Sequence, residues 1–250
     1  VTRGEMAVIM TNLLDLGIAN YVGAPIPFTD VPDWAHAYVA ACYANGITGG
    51  TSDTTYGTDE PITAVQAGLM MLKALGYFQY QQDFGNSWIL STVSQAARID
   101  LFDGIDAETE EPLTRNDIAQ LALNTLESGL VEPDDSTIDI TSPDGTTVTA
   151  GSVNYVYVAS GDPYARAIDD AETNASSLTG LHGYVVELGE DLYRGDLKKS
   201  STFDDFGRPA TNCMYGNSSI GTYAVEALAT WSAKVTQDTM YNTVGRTILN

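Results

Sequence analysis

Three helical runs along this chain share one register of apolar positions. The first follows Thr2 with Met6, Ile9, Met10, Leu13 and Leu14. The second follows Thr63 with Ala67, Met70, Met71, Ala74 and Leu75, and the third follows Thr114 with Ile118, Leu121, Ala122, Thr125 and Leu126. These offsets line one face of a helix, and the same register in three places signals an internal repeat. Each run opens with a start signal: Thr2-Arg3-Gly4-Glu5, Thr63-Ala64-Val65-Gln66 and Thr114-Arg115-Asn116-Asp117. The Thr hydroxyl accepts from the backbone N–H of the third helical residue, and Glu5 or Gln66 at that position reaches back to the Thr N–H. Asp117 is one methylene shorter, so its return bond is the weakest expectation of the three. The pattern predicts three capped helices around one core, with Met10, Met71 and Ala122 facing each other.

A second helix type alternates with the first. Trp34 opens a helix over residues 34–44 that Asn45-Gly46 ends, since glycine takes the left-handed conformation without a Cβ clash. Trp88 opens a worn copy in which Val93 and Ala96 stand where Val39 and Cys42 stood. Asp100 replaces Gly46, and Leu101 and Gly104 match Ile47 and Gly50. The repeating unit is therefore helix, loop, helix, and the first copy keeps only its second helix. Beyond residue 130 the period changes to two. Thr137-Ile138-Asp139-Ile140-Thr141 and Thr146-Thr147-Val148-Thr149 flank Pro143-Asp144-Gly145, a hairpin signal. Residues 153–159 read as a strand, 184–197 as a helix, 206–209 as a turn, 231–235 as a strand and 238–249 as a final helix. The expected class is α+β. A helical domain spans 1–130, divided into a partial repeat 1–25 and repeats 26–78 and 79–130, and a small α+β accessory domain spans 131–250.

Charge narrows the function. The chain has 250 residues, 33 acidic against 11 Lys and Arg, and a formal net charge of -22. Nucleic-acid phosphates would be repelled, as would anionic membrane surfaces, and no apolar run is long enough to span a bilayer. Cys42 and Cys213 make no disulfide framework and are expected to be free. His36 and His182 share no partner motif. The acidic run 106–111 lacks the spaced pattern of a calcium loop, and no Ser, Cys or Lys sits in a nucleophile motif. Neither a cofactor nor catalysis is expected. Arg3 and Arg115 stand out, because a cation in the first turn opposes the helix dipole. A helix N-terminus beside an arginine suits an anion, particularly a carboxylate. An exposed arginine, or one paired with a local Asp, is the plainer reading. Trp34 and Trp88 could stack on sugar rings, although packing at a helix start is the favoured reading.

Phe28-Thr29-Asp30-Val31-Pro32, Trp34, Gly46-Ile47-Thr48-Gly49, Pro61-Ile62-Thr63 and Thr2-Arg3-Gly4-Glu5 together resemble the S-layer homology (SLH) domain, over residues 1–130. The resemblance implies three repeats in a pseudo-three-fold helical bundle. It implies non-covalent anchoring to the Gram-positive cell wall through a secondary polysaccharide, often carrying a pyruvate ketal. It places the protein outside the cell, in the wall or S-layer. Because Val1 stands directly on a helix start signal with no element before it to pack against, a fragment or processed form is expected. Carried over residue by residue, the resemblance nominates Arg3, Trp34, Asn45, Gly46, Gly49 and Arg115 as glycan-binding residues. The second copy departs by having Ala64 where the family has Arg, and the third lacks the Phe-x-Asp-Val opening. One well-formed groove is therefore expected, between the start of the first helix and residues 46–50. Residues 206–210 and 220–224 are reminiscent of a module trailing such repeats in large surface proteins. Two alternatives stay open: an assembly module that packs against other S-layer proteins without binding glycan, and a fragment of a wall hydrolase.

Overall fold

The computed structural model describes residues 1–134, 137–141, 147–151, 154–168 and 183–225. The three start signals form helices α1 (Arg3–Leu13), α3 (Ala64–Ala74) and α5 (Arg115–Leu126), each with a complete capping box, including the Asp117 return bond. Thr114 N–H donates to Asp117 Oδ2 at 2.8 Å, so the shorter side chain still reaches. Between them lie α2 (Asp33–Ala44) and α4 (Trp88–Arg98). A 3-10 turn (Ile18–Tyr21) follows α1, which stops at Leu13. The helix stops because Asp15 and Gly17 both take positive φ. The equivalent positions Gly46 and Asp100 have φ of 70° and 50°. In each case the following N–H turns back onto the helix, Ile47 to Cys42 O at 2.9 Å and Leu101 to Ala96 O at 3.0 Å. This is a Schellman-type end, and the two ends match as the repeat requires.

The repeats close on one another through a ring of three backbone hydrogen bonds. Ile62 N–H donates to Val1 O at 2.9 Å, Leu113 N–H donates to Ile62 O at 3.1 Å, and the Val1 amino group donates to Leu113 O at 3.1 Å. Those residues immediately precede the three capping threonines, so the pseudo-three-fold axis runs through the helix starts. Around it Met6, Met10, Met71, Leu72, Leu75, Leu113 and Leu121 are buried in a single core. Burying each such side chain contributes roughly 1.5–3 kcal/mol. Met10 and Met71 are fully enclosed, whereas Ala122 sits at the edge of the same core, partly buried.

Compact packing continues past residue 130: residues Val1–Lys198 form one unit and Lys199–Asn250 a second. Strand β1 (Val131–Pro133) bonds back to the helices through Val131 N–H to Leu75 O at 2.9 Å. It pairs antiparallel with β4 (Tyr155–Tyr157), while β2 (Thr137–Thr141) and β3 (Thr147–Gly151) form the expected hairpin. The strand expected over 153–159 is divided into β4 and β5 (Ala159–Ser160), the latter paired with β6 (Tyr184–Val185). The helix expected over 184–197 shrinks to α6 (Leu188–Leu192), because β6 takes its start and a turn with Gly195 at φ 82° takes its end. The second unit, taken by itself, carries a meander of β7 (Leu197–Phe203), β8 (Pro209–Tyr215) and β9 (Ser218–Ala224). Its first turn is the one expected at 206–209, where Asp204 accepts from the Phe206 and Arg208 N–H groups. His182 and the elements expected at 231–235 and 238–249 lie outside the described residues. Cys42 and Cys213 are both free thiols.

Candidate functional site

The start of α1 is wrapped by the loop that leads from α2 to α3. Arg3 N–H donates to Glu60 O and Gly4 N–H to Thr58 O, both at 2.9 Å. The Arg3 side chain then turns inward and is only 6% exposed. Its Nε donates to Tyr56 O and its Nη2 to Gly49 O, each at 2.8 Å, and the guanidinium lies 4.9 Å from the centroid of the Tyr56 ring. Its position at the first turn, which the helix dipole disfavours, is thus offset by two charge-assisted bonds to the chain's own carbonyls. Asp30 completes the arrangement by accepting from the Tyr56 and Gly57 N–H groups, both at 2.7 Å. Desolvation pushes the Asp30 carboxyl up. The two backbone N–H groups outweigh it and hold the carboxyl below its ordinary value, with the Arg3 charge adding to them. Gly50 has to be glycine: a Cβ there would fall 2.5 Å from the Phe28 ring and 2.3 Å from Ser52 O.

A cleft of about 410 Å³ opens beside this loop. Arg3, the backbone of Gly49, Gln66, Lys73 and Trp88 are among the residues that line it. Lys73 Nζ donates to Gly46 O at 3.0 Å and lies 5.7 Å from the Phe84 ring centroid. Burial pulls the Lys73 ammonium below its ordinary value. Neither Arg3 nor Lys73 has a carboxylate within ion-pair distance among the described residues, whose two ion pairs are Arg194–Asp191 and Arg208–Asp204. Trp88 is 39% exposed at the rim.

Of the six residues singled out in the sequence, Arg3 and Gly49 line this cleft and Gly46 joins it through its carbonyl. Trp34, Asn45 and Arg115 do not. Trp34 is 51% exposed beside Gly4, so neither it nor Trp88 is the buried packing residue that a helix start suggested. The Asn45 amide caps α2, donating to Ala41 O at 2.8 Å and to the Tyr21 hydroxyl at 3.0 Å. Arg115 is exposed and borders a different, apolar groove between α1 and α5 with Ile9, Ile118 and Ala122. Lys73 and Gln66 are the cleft residues that the motif reading missed, and Trp88 was weighed for sugar stacking but read as a packing residue. The signal available for Lys73 was a lone cation on the second repeat helix of a strongly acidic chain. Among the described residues no three His, Cys, Asp or Glu side chains group as a metal set, and no helix is long and apolar enough to cross a membrane.

Residues 27–63 match the S-layer homology domain family. The match runs from the Phe28 opening through α2 and the Gly46–Gly50 turn to the Thr63 cap. A stretch of 104 residues is 29% identical to an endoglucanase from Bacillus sp. (strain KSM-635), covering 39% of this chain and 11% of that relative's length. The S-layer homology module is non-catalytic and marks association with the cell surface and wall. The repeat register, the closed ring of helix starts and the family match agree, and the chain carries an S-layer homology domain at residues 27–63.

Proposed function

We propose that the cleft between Arg3 and Lys73 holds an acidic unit of a secondary cell-wall polysaccharide, with the carboxylate of a pyruvate ketal as the group recognised. In this reading the chain is an extracellular anchor. The observation that carries it is the convergence of two cations with no carboxylate partner among the described residues on one cleft, in a chain with 33 acids and 11 bases. Arg3 is engaged by the Tyr56 and Gly49 carbonyls and its charge also acts on Asp30, so in this reading Lys73 is the cation that meets an anion from outside. Partial burial strengthens its attraction for that anion, because the local dielectric is lower than that of water. Trp88 supplies a flat apolar wall for the sugar ring. Arg3 acts chiefly by holding the Gly49 carbonyl and the loop in place, so Lys73, Gln66 and Trp88 carry the contacts that a ligand gains.

The test is isothermal titration with purified wall polysaccharide before and after chemical removal of pyruvate. The intact polymer should bind, and depyruvylation should weaken it by roughly tenfold to a hundredfold, as loss of a charge-assisted contact worth about 1.5–3 kcal/mol requires. Equal affinity for both polymers would exclude carboxylate recognition. No affinity for either would favour a module that packs against other S-layer proteins.

A further inference from the structure

A second cleft, of about 450 Å³, shares no residue with the first. Its size falls within the range of small-molecule sites. It opens where the chain leaving α3, the 3-10 turn Gln81–Phe84, the last turns of α4 and strand β4 come together. Strand β4 reads Tyr155-Val156-Tyr157, and alternation puts both tyrosines on one face. Tyr77 lies behind them, its ring 5.4 Å from that of Tyr155 at an interplanar angle of 59°. The Tyr155 ring is fixed: its hydroxyl donates to Asp83 Oδ2 at 2.5 Å and accepts from Gln79 N–H at 2.8 Å. Asp83 is fixed in turn, accepting from Tyr80 N–H at 2.9 Å. Gln95 and Arg98 line the side formed by α4. Arg98 has no carboxylate within ion-pair distance among the described residues.

We propose that this cleft is a second binding site, for a neutral saccharide of one or two pyranose rings. Fixed tyrosine rings present flat apolar faces that match the C–H face of a sugar. Asp83, Gln95 and Arg98 are planar groups with two adjacent polar atoms, able to accept from or donate to neighbouring ring hydroxyls. A seam that only joined β4 to α4 would close on apolar contact. Here Tyr155 and Tyr157 stand beside open space, with Tyr155 held back by Asp83 and Tyr77 buried behind them. A charged ligand fits less well, because the cleft holds one acid beside its one cation and the chain carries a net charge of -22. The proposal is independent of the Arg3 cleft.

Saturation-transfer NMR and titration calorimetry on the 250-residue chain, with cellobiose and N,N′-diacetylchitobiose as probes and glucuronic acid as the charged comparison, test it. At least one neutral disaccharide should bind with Kd on the order of 1 mM. Gln95→Ala and Arg98→Ala should each weaken that binding by roughly fivefold or more, about 1 kcal/mol. Arg98 is exposed and Gln95 partly so, and unchanged thermal midpoints would show both variants folded. Lys73→Gln should leave the affinity unchanged. The proposal is overturned if neither disaccharide binds at about ten times that concentration, if both α4 variants bind as the wild type does, or if Lys73→Gln removes the binding. Tighter binding of glucuronic acid than of either disaccharide would overturn the ligand class.

Discussion

Arg3 and Arg115 follow the same threonine in the same motif, start helices with the same complete capping box, and end in opposite surroundings. Arg3 is 6% exposed and clamps two carbonyls of the following loop; Arg115 is exposed. The whole neighbouring face follows suit. Gly4, Ala7 and Thr11 of α1 are buried, as are Val65, Gly68 and Leu72 of α3, whereas the matching Asn116, Ala119 and Leu123 of α5 are exposed. Loop residues bond to the first turns of α1 and α3, through Thr58 and Glu60 in one case and Thr109 and Glu111 in the other. No such bond reaches the first turn of α5 among the described residues. The motif therefore specifies a helix start, and the loop laid across it decides whether the arginine becomes part of a cleft.

The largest expected effect breaks that contrast directly. Arg3→Ala leaves two carbonyls and a loop without their donor and should destabilise the first unit by roughly 2–4 kcal/mol. Arg115→Ala should stay within about 0.5 kcal/mol, as surface changes do. Urea titration of both variants checks this, and equal losses would remove the distinction. The caps should behave alike where the arginines do not: Thr2→Ala and Thr114→Ala are each expected to cost about 1 kcal/mol, read in the same titration.

Acid sharpens the comparison further. Asp30 holds the loop beneath Arg3, and its folded-state pKa lies below its ordinary value. Its contribution is therefore full above the unfolded value of about 3.9 and is lost as pH falls through the depressed folded value. Asp30→Asn should be less stable than the wild type at neutral pH, with the difference shrinking below about pH 4. A constant difference across that range would assign Asp30 no such role. The smallest effect is chemical. Burial pushes the Cys42 thiol up to about 12, so an aromatic disulfide reagent should spare it in the native protein while the half-buried Cys213 reacts. Rapid loss of both thiols would mean that the α1–α2 contact opens.

The helices, their caps and their common core were legible because those signals are local: a threonine, a return side chain three residues on and an apolar period. The α+β class was legible from the change of period near residue 130. Asp100 could be matched to Gly46 because few residues tolerate a left-handed helix end. The meeting of Arg3 with Gly49 followed from the repeat, since one copy's helix start must meet the next copy's turn. Lys73 was not legible as a cleft residue, because it comes from another element and carries no local pattern; Trp88 was legible as a repeat position, but its helix-start pattern favoured packing over exposure at a rim. Helix α6 was overextended because Tyr184, Val185, Val186, Leu188 and Leu192 imitate a helical face, while Tyr184 and Val185 pair as a strand. The burial of Arg3 also changes what its mutation means: Arg3→Ala tests the fold before it tests binding.

The central claim is that the cleft beside the first helix start, and not the second Thr-Arg motif, holds the wall glycan. It is tested most directly by titrating pyruvylated wall polysaccharide into Lys73→Gln, Trp88→Ala and Arg115→Ala, each first shown to unfold at the wild-type midpoint. Lys73→Gln and Trp88→Ala should each lose tenfold or more in affinity, about 1.4 kcal/mol at least, with Arg115→Ala binding as the wild type does. Undiminished binding by the first two, or an equal loss in Arg115→Ala, would contradict it.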